Sequence, residues 1–378
     1  MAKKKQRGNG TGTVYPRKNK DGKVIGYRGS YIGNGKRYYV SAKTKTETEQ
    51  KLRQAMMDAD RGLTFDAGGL RLGDYLDRWL SDSVKDTVRD TTFERYEQIV
   101  RLHIQPALGG VRLRNLTPTH VRGLYKDKLQ SRSPRTVQYV HVTLHKALKQ
   151  AVNDGLIPRN VTEAVKPPQI RQEEIRPLMP EQVNVLLSAA RGDRLEALYV
   201  LAIHTGLRQG ELLGLKWEDV DLEGGTLQVR RTLTTAKGGP VLSSPKTKGS
   251  RRTVKLTQSA IEDLRSHLQR QLGEIDRAGS LWEENGLIFA SEKGEPLDRR
   301  GTVKYQFKKL LKCAGLPDIR FHDLRHTCAT LLLGRNVNPK IVSEMLGHAS
   351  IAITLDTYSH VLPNMQNEAA KAMEDALR

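Results

Sequence analysis

Thr205-Gly206-Leu207-Arg208-Gln209-Gly210-Glu211-Leu212-Leu213-Gly214-Leu215 sets an arginine where a turn opens into a helix. Glu211, three residues on, falls one turn away on the same face, where its carboxylate can hold the guanidinium in place. Alone, such a spacing reads as readily as a surface ion pair. What gives it weight is the set of segments that follows over about 150 residues.

Pro245-Lys246-Thr247-Lys248-Gly249-Ser250-Arg251-Arg252 lies in a window, 241 to 260, that holds five basic residues and no acidic one. Two lysines just ahead of a strand-like run read as the tip of a β-hairpin reaching toward a phosphate. Phe321-His322-Asp323-Leu324-Arg325-His326 puts His322 and Arg325 side by side on a helix. Leu346-Gly347-His348 and Asp356-Thr357-Tyr358-Ser359-His360 complete the series. Singly, His348 reads as a helix cap and Tyr358 as a core aromatic. His322 and His326 copy one turn of a zinc helix, yet Asp323 stands where H-E-x-x-H has glutamate and no clear third ligand follows. No metal and no cofactor is expected.

The rest of the chain points to a polyanion. Its 378 residues include 63 Lys+Arg against 42 Asp+Glu, a formal net charge of +21. Nucleic acid is the leading partner for such a charge, with an anionic membrane surface behind it. No run of about 18 apolar residues marks a membrane span. The basic start, Met1-Ala2-Lys3-Lys4-Lys5, leads into Gly, Asn and Thr and not into the apolar stretch of a secretory signal, so a cytoplasmic protein is expected. Cys313 and Cys328 are too few for a disulfide framework and read as reduced core thiols.

Composition and periodicity divide the chain. Residues 1–65 carry three short β-type runs, Thr13 to Arg17, Val24 to Ile32 and Lys36 to Ser41, with turn signals at Asp21-Gly22 and Gly33-Asn34-Gly35 and a helical pattern from Thr44. Their first fifty residues hold 13 Lys+Arg and 3 Asp+Glu, and five of the twelve tyrosines. Basic residues interleaved with aromatics suit phosphate contacts, and a β-ribbon can enter a groove. Lys18, Arg28, Lys36 and Arg37 are the DNA-contact candidates there. Residues 70–160 read as four or five amphipathic helices with basic exposed positions, Arg135 among them. Residues 161–177, with Pro167-Pro168 and Pro177, read as a linker. Residues 178–378 read as a mixed, mainly helical domain, with helices near 180–190, 194–205 and 208–215, and strands at 226–232 and 252–256. The fold class is therefore multidomain α+β: a three-stranded sheet with one helix, an all-α bundle, and a larger mixed domain.

At the five separated motifs the sequence resembles the tyrosine recombinases of the phage-integrase family. That family's pattern is an arginine in T-G-x-R-x-x-E-L, a hairpin lysine, H-x-x-R, L-G-H and a tyrosine about ten residues later. Here these are Arg208, Lys246 or Lys248, His322 with Arg325, His348 and Tyr358. Lys246, followed by Thr as in many family members, is preferred, and Lys248 stays open as the alternative. The bundle resembles the family's core-site binding domain, and residues 1–65 its arm-site domain.

The resemblance implies a site-specific recombinase that cuts and rejoins DNA through a 3′-phosphotyrosyl intermediate and so integrates and excises a mobile element. Tyr358 is then the nucleophile, Arg208 and Arg325 hold the phosphate oxygens, the lysine protonates the leaving 5′ oxygen, and His322 and His348 orient the phosphate and help move the tyrosine proton. Glu211 supports Arg208, and Lys248, Arg251 and Arg252 join the DNA contacts. Partners implied are core and arm attachment sites, three further copies in a tetramer, a directionality factor and a DNA-bending host protein. A DNA-binding regulator of the same fold without cleavage is the alternative. Met365, Ala369, Met373 and Ala376 space out a weak apolar stripe on a C-terminal helix; the resemblance implies contact with a neighbouring protomer, and packing on its own domain stays open as the alternative.

Overall fold

Strands β1 (Thr13–Lys18), β2 (Val24–Gly33) and β3 (Lys36–Ala42) form an antiparallel sheet in that order. The computed structural model describes residues 12–33, 36–60, 69–170, 176–236, 239–243, 251–299, 301–358 and 373–377. The β1–β2 turn is made by Asn19, whose side chain accepts from the Asp21 and Lys23 amides, and by Gly22 at φ +78°. Because side chains alternate along a strand, the register sorts the tyrosines. Tyr31 stands opposite Tyr38 and packs with Leu52 and Ala55 of α1 (Lys45–Asp60). Gly29 leaves the space into which Leu52, Val40 and Val14 close. On the other face Tyr15 is paired with Arg28, Ser30 with Tyr39 and Ile32 with Arg37. The Arg28 guanidinium lies 4.1 Å over the Tyr39 ring. One face is thus closed by a helix, and the other is a basic, aromatic surface open to solvent.

The chain divides into two compact units, Met1–Gln172 and Glu173–Arg378. Within the first, α2 (Leu72–Arg78) continues through a wider π turn (Trp79–Val84), and α3 (Asp90–Ile99) does the same through Val100–Ile104 before α4 (Gln105–Leu108). Helices α5 (Pro118–Leu129) and α6 (Pro134–Asn153) follow. Both start with proline after a hydroxyl cap: Thr117 accepts from the His120 amide, and Ser133 from the Thr136 amide. Leu72, Leu76, Val121, Val137, Val140, Leu144 and Leu148 form the fully buried centre. Tyr75 closes the bundle by donating to the Ala147 carbonyl at 2.7 Å.

The second unit is built around α8 (Glu196–Thr205), a helix apolar on nearly every side and buried throughout its middle. Helices α7 (Pro180–Ala189), α10 (Gln258–Ala278), α11 (Thr302–Cys313) and α12 (Asp323–Leu333) surround it. A small sheet runs β4 (Val220–Asp221), β5 (Thr226–Val229), β8 (Arg252–Lys255), and β6 (Thr232–Ala236) pairs with β7 (Gly239–Ser243) in a separate hairpin. The strand expected over 226–232 is therefore two strands in two sheets. The break falls at Arg230-Arg231, where Arg231 turns to Asp219 and Glu218. The helix expected over 208–215 is α9 (Gln209–Leu213), with Arg208 outside it as the cap. Cys328 is buried, but Cys313 is exposed at the end of α11 and is no core thiol. Among the described residues, no helix is long and apolar enough to cross a membrane.

Candidate active site

The loop from α8 to α9 depends on Gly206. Its φ of +60° terminates α8, and a Cβ there would come within 2.4 Å of Leu346 and 3.2 Å of the Cys328 sulfur. This close approach brings the turn against α13 (Pro339–Leu346) and α12. Arg208 then caps α9. Glu211 Oε2 accepts from the Arg208 backbone amide at 3.0 Å, and Oε1 from Arg208 Nη1 at 2.8 Å. Glu211 is only 3% exposed, yet it carries a second cation, since Arg252 Nη2 reaches Oε2 at 2.9 Å.

Three arginines converge on the C-terminal end of α13, where unpaired carbonyls concentrate negative potential. Arg252 Nε donates to the Met345 carbonyl at 2.6 Å, Arg325 Nη1 to Leu346 at 2.7 Å and Arg208 Nη2 to Gly347 at 2.9 Å. Arg325 Nη1 also reaches the Gly206 carbonyl at 2.8 Å. Gly347 turns at φ +67°, and a Cβ on it would lie 2.7 Å from Arg252 Nη1. His348 follows at once, with Nδ1 fixed 2.8 Å from the Thr354 hydroxyl. The Arg208 side chain stays 39% exposed, whereas Arg325 is buried, so one fork faces outward from a braced floor.

His322 is the N-cap of α12, one residue before the helix, and its ring meets that of His326 edge-on at 5.3 Å. His326 Nδ1 lies 2.7 Å from the hydroxyl of Tyr358, the last residue of α14 (Ile351–Tyr358). The Tyr358 ring packs with Ala329, Leu333, Val342 and Leu346.

Burial and charge set the protonation states. Burial first, and the neighbouring His326 and Arg325 next, lower the pKa of His322 to about 4. Burial together with Arg325, Arg208 and Arg252 lowers that of His348 to about 4. Both rings are neutral at pH 7. Burial, then the nearby Arg208 charge, lowers Arg325 to about 10, still protonated, and burial raises Tyr358 to about 12.

The structure thus brings together Arg208, Glu211, His322, Arg325, His348 and Tyr358. Lys246 and Lys248 lie outside the described residues, between β7 and β8. Lys18, Arg37, Arg135 and Arg251 are exposed, Arg28 is half-exposed against Tyr39, and Lys36 opens β3 opposite Gly33. Arg252, expected on DNA, requires correction: its side chain is 8% exposed and turned inward to Glu211 and Met345. Alternation along β8 puts it on the same face as the buried Val254, where it reaches the end of α13. Met365 and Ala369 lie outside the described residues, and Met373 is 61% exposed. The inward role of Arg252, the His348–Thr354 bond and the His326–Tyr358 contact had no periodicity to announce them. The one available signal was His326 at four residues from His322, which read only as a zinc-like pair.

A mainly helical domain that gathers two arginines, neutral histidines and a tyrosine hydroxyl around the ends of α12 and α13 has the fold and the side chains of a tyrosine recombinase. Residues 170–365 match the phage integrase family, and residues 71–129 match the phage integrase N-terminal SAM-like domain. The chain belongs to the phage integrase family and is a site-specific recombinase. It is 34% identical over 385 residues to a tyrosine recombinase XerC-like protein of Caldanaerobacter subterraneus subsp. tengcongensis, covering 92% of this chain and 98% of that one. It is 32% identical to an integrase of Streptomyces ambofaciens over 98% of this chain and 97% of the relative. The fold is similar to that of the Tn1549 transposon integrase solved with transposon right end DNA, with TM-score 0.69 and 22% identity, covering 82% of this chain and all of that one.

Proposed function

We propose that Tyr358 attacks a DNA phosphorus and holds the cut strand as a 3′-phosphotyrosine, with Arg208 and Arg325 neutralising the nonbridging oxygens. The observation that carries this is the seating of both guanidiniums on adjacent carbonyls, Gly347 and Leu346, immediately before His348. Planar forks already held in place lose little freedom when a phosphate arrives, and their charge does not titrate away. His322, exposed at the start of α12, and His348, half-buried, are both neutral and contribute ring nitrogens to the same phosphate. Lys246, with Lys248 as the alternative, protonates the departing 5′ oxygen. Attack by the 5′ hydroxyl of a partner strand reverses the step and conserves the bond energy, so no ATP is needed.

Exchange of two duplexes requires four such cleavages, which supports a homotetramer on DNA. Residues 1–65 serve as the arm-site module, 70–160 as the core-site module, 161–177 as the linker, and 178–378 as the catalytic domain with its tail helix. The enzyme works on chromosomal and mobile-element DNA in a bacterial cytoplasm, with a directionality factor and a DNA-bending protein as its accessory partners. A core-site duplex nicked near the scissile phosphate should trap a covalent complex that Tyr358→Phe abolishes. A covalent adduct formed by the Phe variant would remove Tyr358 from this role, and binding without any adduct would favour a non-cleaving regulator.

A further inference from the structure

We propose that His326, a residue outside the arginine-bound phosphate site, is the catalytic base that receives the Tyr358 proton during attack. This rests on Tyr358 being the nucleophile. Of the three histidines at the site, His348 has Nδ1 engaged by Thr354, and His322 meets His326 edge-on across their rings. Among the described residues, His326 is the one whose ring nitrogen sits at hydrogen-bond distance from the tyrosine oxygen, at 2.7 Å. With the ring proton on Nε2, the Tyr358 hydroxyl donates to the Nδ1 lone pair, the arrangement from which a proton moves along an existing bond.

The surroundings suit a neutral base. Burial lowers the His326 pKa, Asp323 opposes this, and Arg325 and Arg320 reinforce it. His322 adds a ring and no charge at neutral pH. Tyr358, raised to about 12 by burial, is not ionised in advance. Free phenolate is therefore scarce, and the proton must leave as the new bond to phosphorus forms. The Tyr358 oxygen–phosphorus bond is made, the phosphorus–O5′ bond breaks, the tyrosine proton passes to His326 Nδ1, and the departing O5′ takes a separate proton from the hairpin lysine. In the rejoining step a 5′ hydroxyl attacks phosphorus, and the His326 imidazolium returns its proton to the leaving tyrosine oxygen. Charge and atoms balance in both directions.

A simpler role would be to satisfy the buried tyrosine hydroxyl. His326→Asn separates the two, because its amide oxygen can accept a hydrogen bond near the position of Nδ1 but cannot take a proton. The full-length chain is given a nicked core-site duplex with either oxygen or sulfur at the bridging 5′ position of the scissile phosphate. Sulfur leaves without a proton, so it relieves a missing acid and not a missing base. His326→Asn and His326→Ala should form the covalent complex about 100-fold more slowly with both duplexes, with unchanged DNA affinity and melting temperature. Added imidazole should restore part of the rate to His326→Ala. Near-wild-type cleavage by His326→Asn, or recovery of either variant on the sulfur duplex, would overturn the proposal. If His326→Asn melts early, His326→Gln, read by the same two duplexes, decides between the same outcomes. Wild-type adduct surviving Tyr358→Phe would instead sink the nucleophile assignment beneath it.

Discussion

Arg252 and Glu211 form a buried ion pair at 2.9 Å, and through it strand β8 is tied to the cap of α9. Glu211 accepts from the Arg208 guanidinium at Oε1 and from both the Arg208 amide and Arg252 Nη2 at Oε2, while the two arginines grip α13 at Gly347 and Met345. The carboxylate is thus the hub that fixes the spacing between the outward fork of Arg208 and the helix end that presents His348.

Removing one partner of a buried pair leaves the other charge uncompensated, at a cost of about 3–5 kcal/mol. Arg252→Met should lower stability on that scale, read as the urea midpoint at unchanged slope. Arg252→Lys keeps the charge but cannot donate to Glu211 and Met345 together, so cleavage should fall while DNA affinity stays near wild type. A lysine variant that cleaves at the wild-type rate would show that the bidentate geometry is immaterial.

Glu211 also predicts an acid limit. Burial pushes its pKa up, but the hydrogen bond and charge of Arg252, joined by Arg208, prevail and hold it below 4.5. A carboxyl depressed on folding contributes its full stabilisation above the unfolded pKa and loses it as pH falls through the folded one. Glu211→Gln should therefore be less stable than wild type at pH 7, and the gap should narrow below about pH 4.5. Midpoints measured from pH 7 to 3 give the comparison, and a gap independent of pH would contradict it.

The core and the motif order were legible because they rest on short-range rules. Leu72, Leu76, Leu144 and Leu148 fall at helical spacing, and Thr117-Pro118 announces a cap. The polar hairpin β6–β7 was not legible, since among the described side chains of a threonine-rich strand Leu233 alone is buried. Arg208 and Glu211 could be paired from their separation of three residues. Arg252 could not be paired with Glu211, because 41 residues of chain separate them and charge alone made an inward arginine look like one of the DNA contacts.

Binding of DNA should be coupled to proton uptake. His322 and His348, lowered to about 4 by burial and by nearby cations, are neutral in the free protein at pH 5.5. A phosphate anion placed among them favours the charged ring and raises both pKa values. Calorimetry at pH 5.5 in two buffers of different ionisation enthalpy should show net proton uptake for the wild type and less for His348→Asn. Equal heats in the two buffers would mean that the phosphate does not reach these rings.

The open face of the N-terminal sheet makes a quantitative claim about salt. Arg28 and Arg37 stand on the face away from α1, one stacked on Tyr39 and the other opposite Ile32. If both neutralise DNA phosphates, each releases condensed counterions, and the slope of log K against log salt should flatten by about 0.9 per contact. Arg28→Ala with Arg37→Ala should therefore reduce the slope by about 2 on DNA carrying an arm site. Because these residues lie in a different unit from Tyr358, covalent trapping on a core-site duplex alone should be unaffected. A slope unchanged by the pair, with the fold intact, would mean that this face does not meet the DNA backbone.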